Sequence, residues 1–299
     1  MVESLVIETV DLRKRFGDVD ALAGLSLQVP RGSICGLLGR NGAGKTTTIK
    51  VLLGIARPTS GKAAVFGLAA DDPTASVEIR RRTAFVSEDK DLYDAMTVAE
   101  IIRFTASFYP RWRADLEQHY LDRFELPAAR TVKQLSRGMR TKLALLLALA
   151  SGAELLVLDE PTSGLDPAMN EEVLQALVAH VAREEMTVFL SSHQIADVEQ
   201  IADRIAIIDR GRVLVAGALE DIRAAYRRIQ LTFDGAAPEF AFRAAGVVAT
   251  QRRGRVLTVL SSAGAERIVE EARALEPVSV DVSPVTLKEV FLETVAAED

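Results

Sequence analysis

Nine residues constrain this chain more than any others: Gly39-Arg40-Asn41-Gly42-Ala43-Gly44-Lys45-Thr46-Thr47. They satisfy the spacing G-x-x-x-x-G-K-[ST], and their flanks have the pattern that spacing needs. The apolar run Ser33 to Leu38 reads as a strand leading in, and Thr46 to Leu53 reads as a helix leading out. Glycines allow the backbone to curl so that successive N–H groups converge on phosphate oxygens. The helix N-terminus adds partial positive charge at the same point. In such a loop Lys45 reaches the β- and γ-phosphates of a nucleotide, and the Thr46 hydroxyl binds Mg²⁺.

The 299 residues suffice for a large domain or a main domain with a smaller companion. A net charge of −6 gives no general attraction to nucleic acid or an anionic membrane surface. The single cysteine, Cys35, excludes an internal disulfide and sits in an apolar strand as a small core residue. The opening Met1-Val2-Glu3-Ser4 lacks a basic start and an apolar core, so no leader is expected. The longest apolar run, Leu143 to Ala150, is far short of the roughly 20 residues of a membrane span. A transport role would therefore need a separate membrane partner.

Read in order, Leu5 to Val10 and Ala23 to Val29 are strands, separated by a turn through Leu12–Asp18 that carries Phe16. Ala63–Phe66 and Arg82–Ser87 are short strands. At Thr97-Val98-Ala99-Glu100 a capping box opens a mostly helical stretch, continued by Asp115–Phe124 and Gly138–Ala150. Leu155–Leu158 is apolar throughout, as in a parallel strand buried on both faces. Glu171–Arg183 reads as helix, Thr187–Leu190 as strand and Ala196–Asp203 as helix; Ile205–Ile208 and Arg212–Val215 form a hairpin. Beyond about Ala225 the texture becomes that of a small α+β domain. Ile229–Phe233, Val247–Thr250, Val256–Leu260 and Val278–Val282 are its strands, Ala265–Ala274 a helix, and a capping box at Thr286–Glu289 opens a last helix through Ala296.

Leu155 to Glu160 is an apolar strand ending in Asp159 and Glu160. Acids at the carboxyl end of a buried strand stand where α/β sheets bind ligands. Asp159 suits Mg²⁺ and Glu160 suits polarising an attacking water.

These motifs, in this order, resemble the ATP-binding subunit of an ATP-binding cassette (ABC) transporter. Gly39–Thr47 matches Walker A and Leu155–Glu160 matches Walker B. Leu135-Ser136-Arg137-Gly138-Met139 is similar to the LSGGQ signature, Ser163-Gly164-Leu165-Asp166 to the D-loop, and His193 to the switch histidine. Phe16 stands where the family stacks an aromatic on adenine. The resemblance implies an α/β fold: a P-loop NTPase cassette with a mostly parallel core sheet, an N-terminal antiparallel β part and a helical insert. The cassette is expected over residues 1–225, the insert over about 92–150, and the small α+β domain over 226–299. It implies ATP and Mg²⁺, with Thr46, Asp159 and Glu88 as metal ligands, Glu160 as general base, and His193 on the γ-phosphate. Ser136 and Gly138 would grip ATP held by the other subunit of a homodimer or of a heterodimer with a homologous ATPase, and Asp166 would contact that subunit. The partner would be an integral-membrane permease, with the cassette peripheral at the cytoplasmic face of the cell membrane.

Each residue also has a plainer reading. Ser136 is a good helix N-cap, Asp166 a turn residue before Pro167, and Phe16 a core aromatic. His119 and His180 lie in helical patterns without ligand-like neighbours, and Trp112 suits packing in the insert. Two positions depart from the family pattern. Glu88 stands where the family usually has Gln; its anionic carboxylate would bind Mg²⁺ more strongly than an amide and repel a γ-phosphate that lacks the metal. Arg137 and Met139 replace Gly and Gln of the signature, a variation resembling exporters of the ABC-2 class (multidrug, antibiotic and acetoin types), as does Leu287-Lys288-Glu289-Val290-Phe291-Leu292. Alternatives are a soluble ABC ATPase acting on ribosomes or nucleic acid, and a module that binds ATP without hydrolysis. Against the former stand one cassette, no long coiled-coil insertion and no basic stripe, so no nucleic-acid partner is expected.

Overall fold

The computed structural model describes residues 4–184 and 186–296. Met1, Val2 and Glu3, on which the leader expectation rests, lie outside them. The chain divides into two compact units, Met1–Ala216 and Gly217–Asp299.

The first unit begins with an antiparallel pair, β1 (Leu5–Phe16) and β2 (Val19–Pro30), followed by β3 (Ile34–Leu38), α1 (Lys45–Leu52), β4 (Ser60–Val65), β5 (Leu68–Ala69), α2 (Pro73–Arg81) and β6 (Thr83–Val86). Then come the helices α3 (Val98–Ala106), α4 (Ala114–Arg123) and α5 (Arg137–Leu149). β7 (Leu155–Asp159), α6 (Pro167–Glu184), β8 (Thr187–Ser192), α7 (Ile195–Ile201), β9 (Arg204–Asp209) and β10 (Arg212–Ala218) complete the series. One sheet has the order β2-β1-β4-β5 and the other β10-β9-β3-β8-β7-β6. In the latter, β9, β3, β8, β7 and β6 are mutually parallel. Every residue of β3, β7 and β8 is buried, as apolar runs covered on both faces require. Leu12 and Leu25 of the first sheet share one core with Ile49 of α1 and with Leu37, Val157 and Phe189 of the second sheet. Register sets the site: Leu38 lies beside Ser192, and Asp159 beside Ser191. The segments Gly39–Thr47, Glu160–Asp166 and His193 therefore all leave the same edge of the sheet.

Two elements differ from the sequence reading. The expected turn at Leu12–Asp18 is strand as far as Phe16. A register shift between Thr9 and Leu12, with Asp11 at φ +44°, lets buried Leu12 face Leu25 although its neighbours are polar. Helix α2 has no apolar periodicity to announce it, since only Ser76 and Ile79 are buried. Its local signal is Asp72, whose carboxylate accepts from Ala75 N at 2.7 Å, followed by Pro73 in the first turn.

The capping box at α3 is formed: Glu100 N donates to Thr97 Oγ1 at 3.2 Å, and Thr97 N to Glu100 Oε2 at 2.8 Å. Trp112 donates to Glu117 Oε2 at 2.7 Å, a packing role within the helical stretch. Cys35 is buried, and burial pushes its thiol up to about 12. Among the described residues no helix is long and apolar enough to cross a membrane.

The second unit carries α8 (Leu219–Ala225), β11 (Arg227–Thr232), β12 (Val247–Arg253), β13 (Val256–Ser261), α9 (Ala265–Arg273), β14 (Ser279–Pro284) and α10 (Leu287–Ala296). Its sheet, ordered β12-β13-β11-β14, is antiparallel. Ile229, Leu231 and Val259 pack against Ile268 and Ala272 of α9 in a core of their own.

Candidate nucleotide site

A cleft of about 600 Å³ opens where β3 meets α1, a size suited to a small-molecule ligand. Its walls include Asn41, Gly42, Gly44, Lys45, Thr46 and Thr47, with Val19, Asp20 and Ala21 from the β1–β2 hairpin and Glu88, Glu160, Ser163 and His193 opposite. Gly44 shows why the loop needs glycine. It stands at φ +110°, and a Cβ there would lie 2.7 Å from Ala21 O. Helix α1 has no side-chain cap, so its N-terminal amides are left for a ligand in the cleft. Ala43 is buried behind the loop. Gly39 closes against β9, where a Cβ would approach Ile208 O to 2.7 Å.

Lys45 is buried. Its ammonium donates to Gly39 O at 2.8 Å and lies 3.2 Å from Glu160 Oε1. The second carboxylate oxygen of Glu160 is 2.8 Å from His193 Nδ1. The three side chains named from separate motifs thus meet around one carboxylate. Glu160 is 4% exposed and sits at φ +48°, a left-handed conformation that a side-chain-bearing residue keeps only when its surroundings hold it. Its amide donates to Ser191, whose hydroxyl donates to Asp159 Oδ1 at 2.5 Å.

The other expected residues fall into two groups. Glu88 is exposed on the cleft wall. Phe16 is 52% exposed at the hairpin tip, outside the cleft lining but paired with Val19, which belongs to it; the core alternative is excluded. Ser136, Gly138 and Asp166 are not part of this cleft. Ser136 caps α5 by accepting from Met139 N at 3.2 Å, and Asp166 accepts from Met169 N at 3.0 Å at the start of α6. A Cβ on Gly138 would run into the Sδ of Met169 from α6, so this glycine leaves the space that the Met169 side chain occupies.

His180 is buried against Tyr120, with Nδ1 3.2 Å from the phenol oxygen, while His119 is on the surface. Three contacts of the site went unforeseen. Arg40 forks onto buried Asp209 at 3.3 and 3.2 Å, tying the loop to the end of β9. Asp197 accepts from Thr162 at 2.6 Å and Asn170 at 2.8 Å, joining α7 to the segment after Glu160. Lys90 Nζ donates to Glu160 O at 3.0 Å. Each joins residues far apart in sequence, with no local pattern to betray it.

The family model described as ABC transporter matches residues 22–163. BcrA of Bacillus licheniformis, a bacitracin transport ATP-binding protein, is 36% identical over 213 residues, 71% of this chain and 69% of BcrA. The chain belongs to the ABC transporter family. It is an ATP-binding subunit that hydrolyses ATP, with Mg²⁺ as cofactor. The cassette's similarity to YtrB of Bacillus subtilis (strain 168), 28% identical over 287 residues, spans 96% of this chain and 97% of YtrB, second unit included. A solved ATP-binding subunit of an ABC transporter is 31% identical, with a TM-score of 0.67 over 73% of this chain and 92% of its own.

The residues present fit Mg²⁺. Thr46 and Glu88 place hard oxygen donors on the cleft wall, and Asp159 ends β7, immediately before Glu160 of the same wall. Among the described residues no three His, Cys, Asp or Glu form a metal cluster. That donor set suits an ion completed by substrate phosphates, whose charge it neutralises when bound.

Proposed function

We propose that this cassette powers export through a separate membrane permease, as one half of a head-to-tail pair of cassettes. The observation that carries the reading is the division of the expected site residues. Lys45, Glu160 and His193 converge on one cleft, whereas Ser136 and Gly138 lie outside it, so a second subunit would complete the site. Two copies of this chain suffice, because each carries both halves. In this reading residues 1–225 form the ATPase domain with a helical subdomain at about 92–150, and 226–299 form an accessory domain.

Within each site Lys45 holds the β- and γ-phosphates, Thr46, Asp159 and Glu88 hold Mg²⁺, and Phe16 stacks on the adenine. Glu160 takes the proton of the attacking water while His193 contacts the γ-phosphate. Ser136 and Gly138 grip ATP from across the dimer, with Asp166 touching the other subunit. Catalysis is positioning and charge stabilisation. The Lys45–Glu160 contact at 3.2 Å fits this cycle, since phosphates drawing the ammonium away leave Glu160 free to act as a base.

The permease has a suitable landing place. Tyr93, Phe104 and Phe108 form an exposed chain of edge-on rings, with centroids 5.5 and 5.1 Å apart, beside the loop that carries Glu88. Docking there would place the cassette at the cytoplasmic face of the membrane. Export is favoured by the Arg137 and Met139 variation, the Leu287–Leu292 motif and the bacitracin transport named for BcrA.

Glu160→Gln tests the reading. The variant is expected to bind ATP, fail to hydrolyse it, and double in mass by light scattering. Normal turnover by this variant would overturn the base assignment.

A further inference from the structure

Glu88 adds a negative charge where the family usually has a neutral Gln, on the wall of the cleft that Glu160 also lines. Two residues further on, the chain supplies a cation. Lys90 is only 7% exposed although its side chain is long and charged. Its ammonium reaches across to β7 and donates to the backbone carbonyl of Glu160 at 3.0 Å. A buried ammonium needs such partners. The charged groups facing it are Glu88 from its own loop, Asp159 and Glu160 from the end of β7, and Arg137 from α5. Burial and then Arg137 push the amine below the usual lysine range, while the three carboxylates oppose this.

Both ends of the contact are unusual in backbone as well. Lys90 has φ +50° and Glu160 φ +48°, left-handed conformations at residues other than glycine. Lys90 N is anchored to Ser87 O at 3.2 Å, so the loop closes on itself before the side chain crosses to Glu160. A bond to the Glu160 carbonyl orients the peptide that follows the general base. That peptide, with the left-handed turn, sets where the carboxylate points.

We propose that Lys90 is a positioning residue for hydrolysis: it fixes the backbone at Glu160, and so couples the Glu88 loop to the general base. The inference rests on Glu160 acting as the base. It makes Glu88 and Lys90 one unit, in which the added negative charge comes with an internal cation that also holds the catalytic strand end. A movement of the Glu88 loop, beside the exposed aromatic surface, would then reach Glu160 through one side chain.

The test compares Lys90→Met and Lys90→Arg in the full chain, with Glu160→Gln alongside. Lys90→Met removes the donor while keeping length, and is expected to lower kcat by roughly 10- to 100-fold, the range for a misplaced catalytic group. KM for ATP and the affinity for ATP are expected to stay within about twofold, because the phosphate loop is untouched. Lys90→Arg keeps a donor and is expected to recover at least half of the lost rate. Adding Lys90→Met to Glu160→Gln is expected to lower the rate no further, since the positioned group is already gone. Should Lys90→Met not fold, Lys90→Gln takes its place with the same expected split. Unchanged kcat in the donor-free variant, or an equal loss in ATP affinity, would overturn the proposal. If Glu160→Gln is inactive while Lys90→Met is normal, the base assignment stands and only the role of Lys90 fails. If Glu160→Gln turns over normally, the base assignment itself is what fails.

Discussion

Gly36 lies in the middle of β3, hydrogen-bonded between β8 and β9, with Leu190 and Ile205 as its neighbours in register. A Cβ built there would stand 2.2 Å from Val198 Cγ1 of α7. Ordinary contact begins at 3.4 Å, so Gly36→Ala must displace the Val198 Cγ1 methyl by about 1.2 Å (3.4 − 2.2). An interior strand paired on both sides has little room to yield, which leaves α7 to move. That helix starts two residues after His193, and its Asp197 holds Thr162 and Asn170. The expected cost is about 1–3 kcal/mol of overpacking, offset by up to ~1 kcal/mol because Ala suits a strand better than Gly. Trp112, the only tryptophan, lies within Met1–Ala216, so its fluorescence in a urea titration reports on the unit concerned. Gly36→Ala is expected to unfold at lower urea and to lose turnover as His193 shifts. Val198→Ala alone leaves a cavity and costs roughly 1–3 kcal/mol. In the double variant the new methyl fills part of that space, so its cost should fall short of the sum of the two single costs by more than about 1 kcal/mol. Additive costs, or a Gly36→Ala variant of full stability and activity, would refute the packing argument.

Other outcomes follow from single contacts. Arg82 forks onto Glu154 at 2.8 and 2.9 Å, and Arg31 adds a bond at 3.2 Å, which together hold the carboxyl down at about 2 against 4.5. Because the folded value is depressed, the stabilisation is complete above about pH 4.5 and is lost as pH falls towards 2. The full shift corresponds to roughly 3 kcal/mol, discounted to about 2 for a side chain 24% exposed; Glu154→Gln should flatten the fall in Tm between pH 5 and about 3, and parallel Tm curves would count against the pairing. Phe16→Ala, at an exposed hairpin tip, should leave stability within about 0.5 kcal/mol while weakening ATP binding about 5- to 100-fold through lost stacking, measured by calorimetric titration. Unchanged ATP affinity would remove Phe16 from the site.

What the sequence determined by itself is local in origin. The phosphate loop is legible because a glycine-rich turn, a lysine and a helix start must be consecutive to cradle phosphate. The parallel strands are legible because burial on both faces leaves runs such as Leu155–Leu158 with no polar alternation. Capping boxes at Thr97–Glu100 and Thr286–Glu289 could be read because their partners are three residues apart, and both are formed. Tertiary structure alone decided the rest. The strand character of Arg13-Lys14-Arg15 comes from pairing with β2, and α2 buries too few apolar residues to leave a period. Lys90 meets Glu160 across 70 positions, and Arg40 meets Asp209 across 169. No sequence period encodes such meetings. They exist because parallel strands end at one edge, and only the folded register of the sheet brings those ends together.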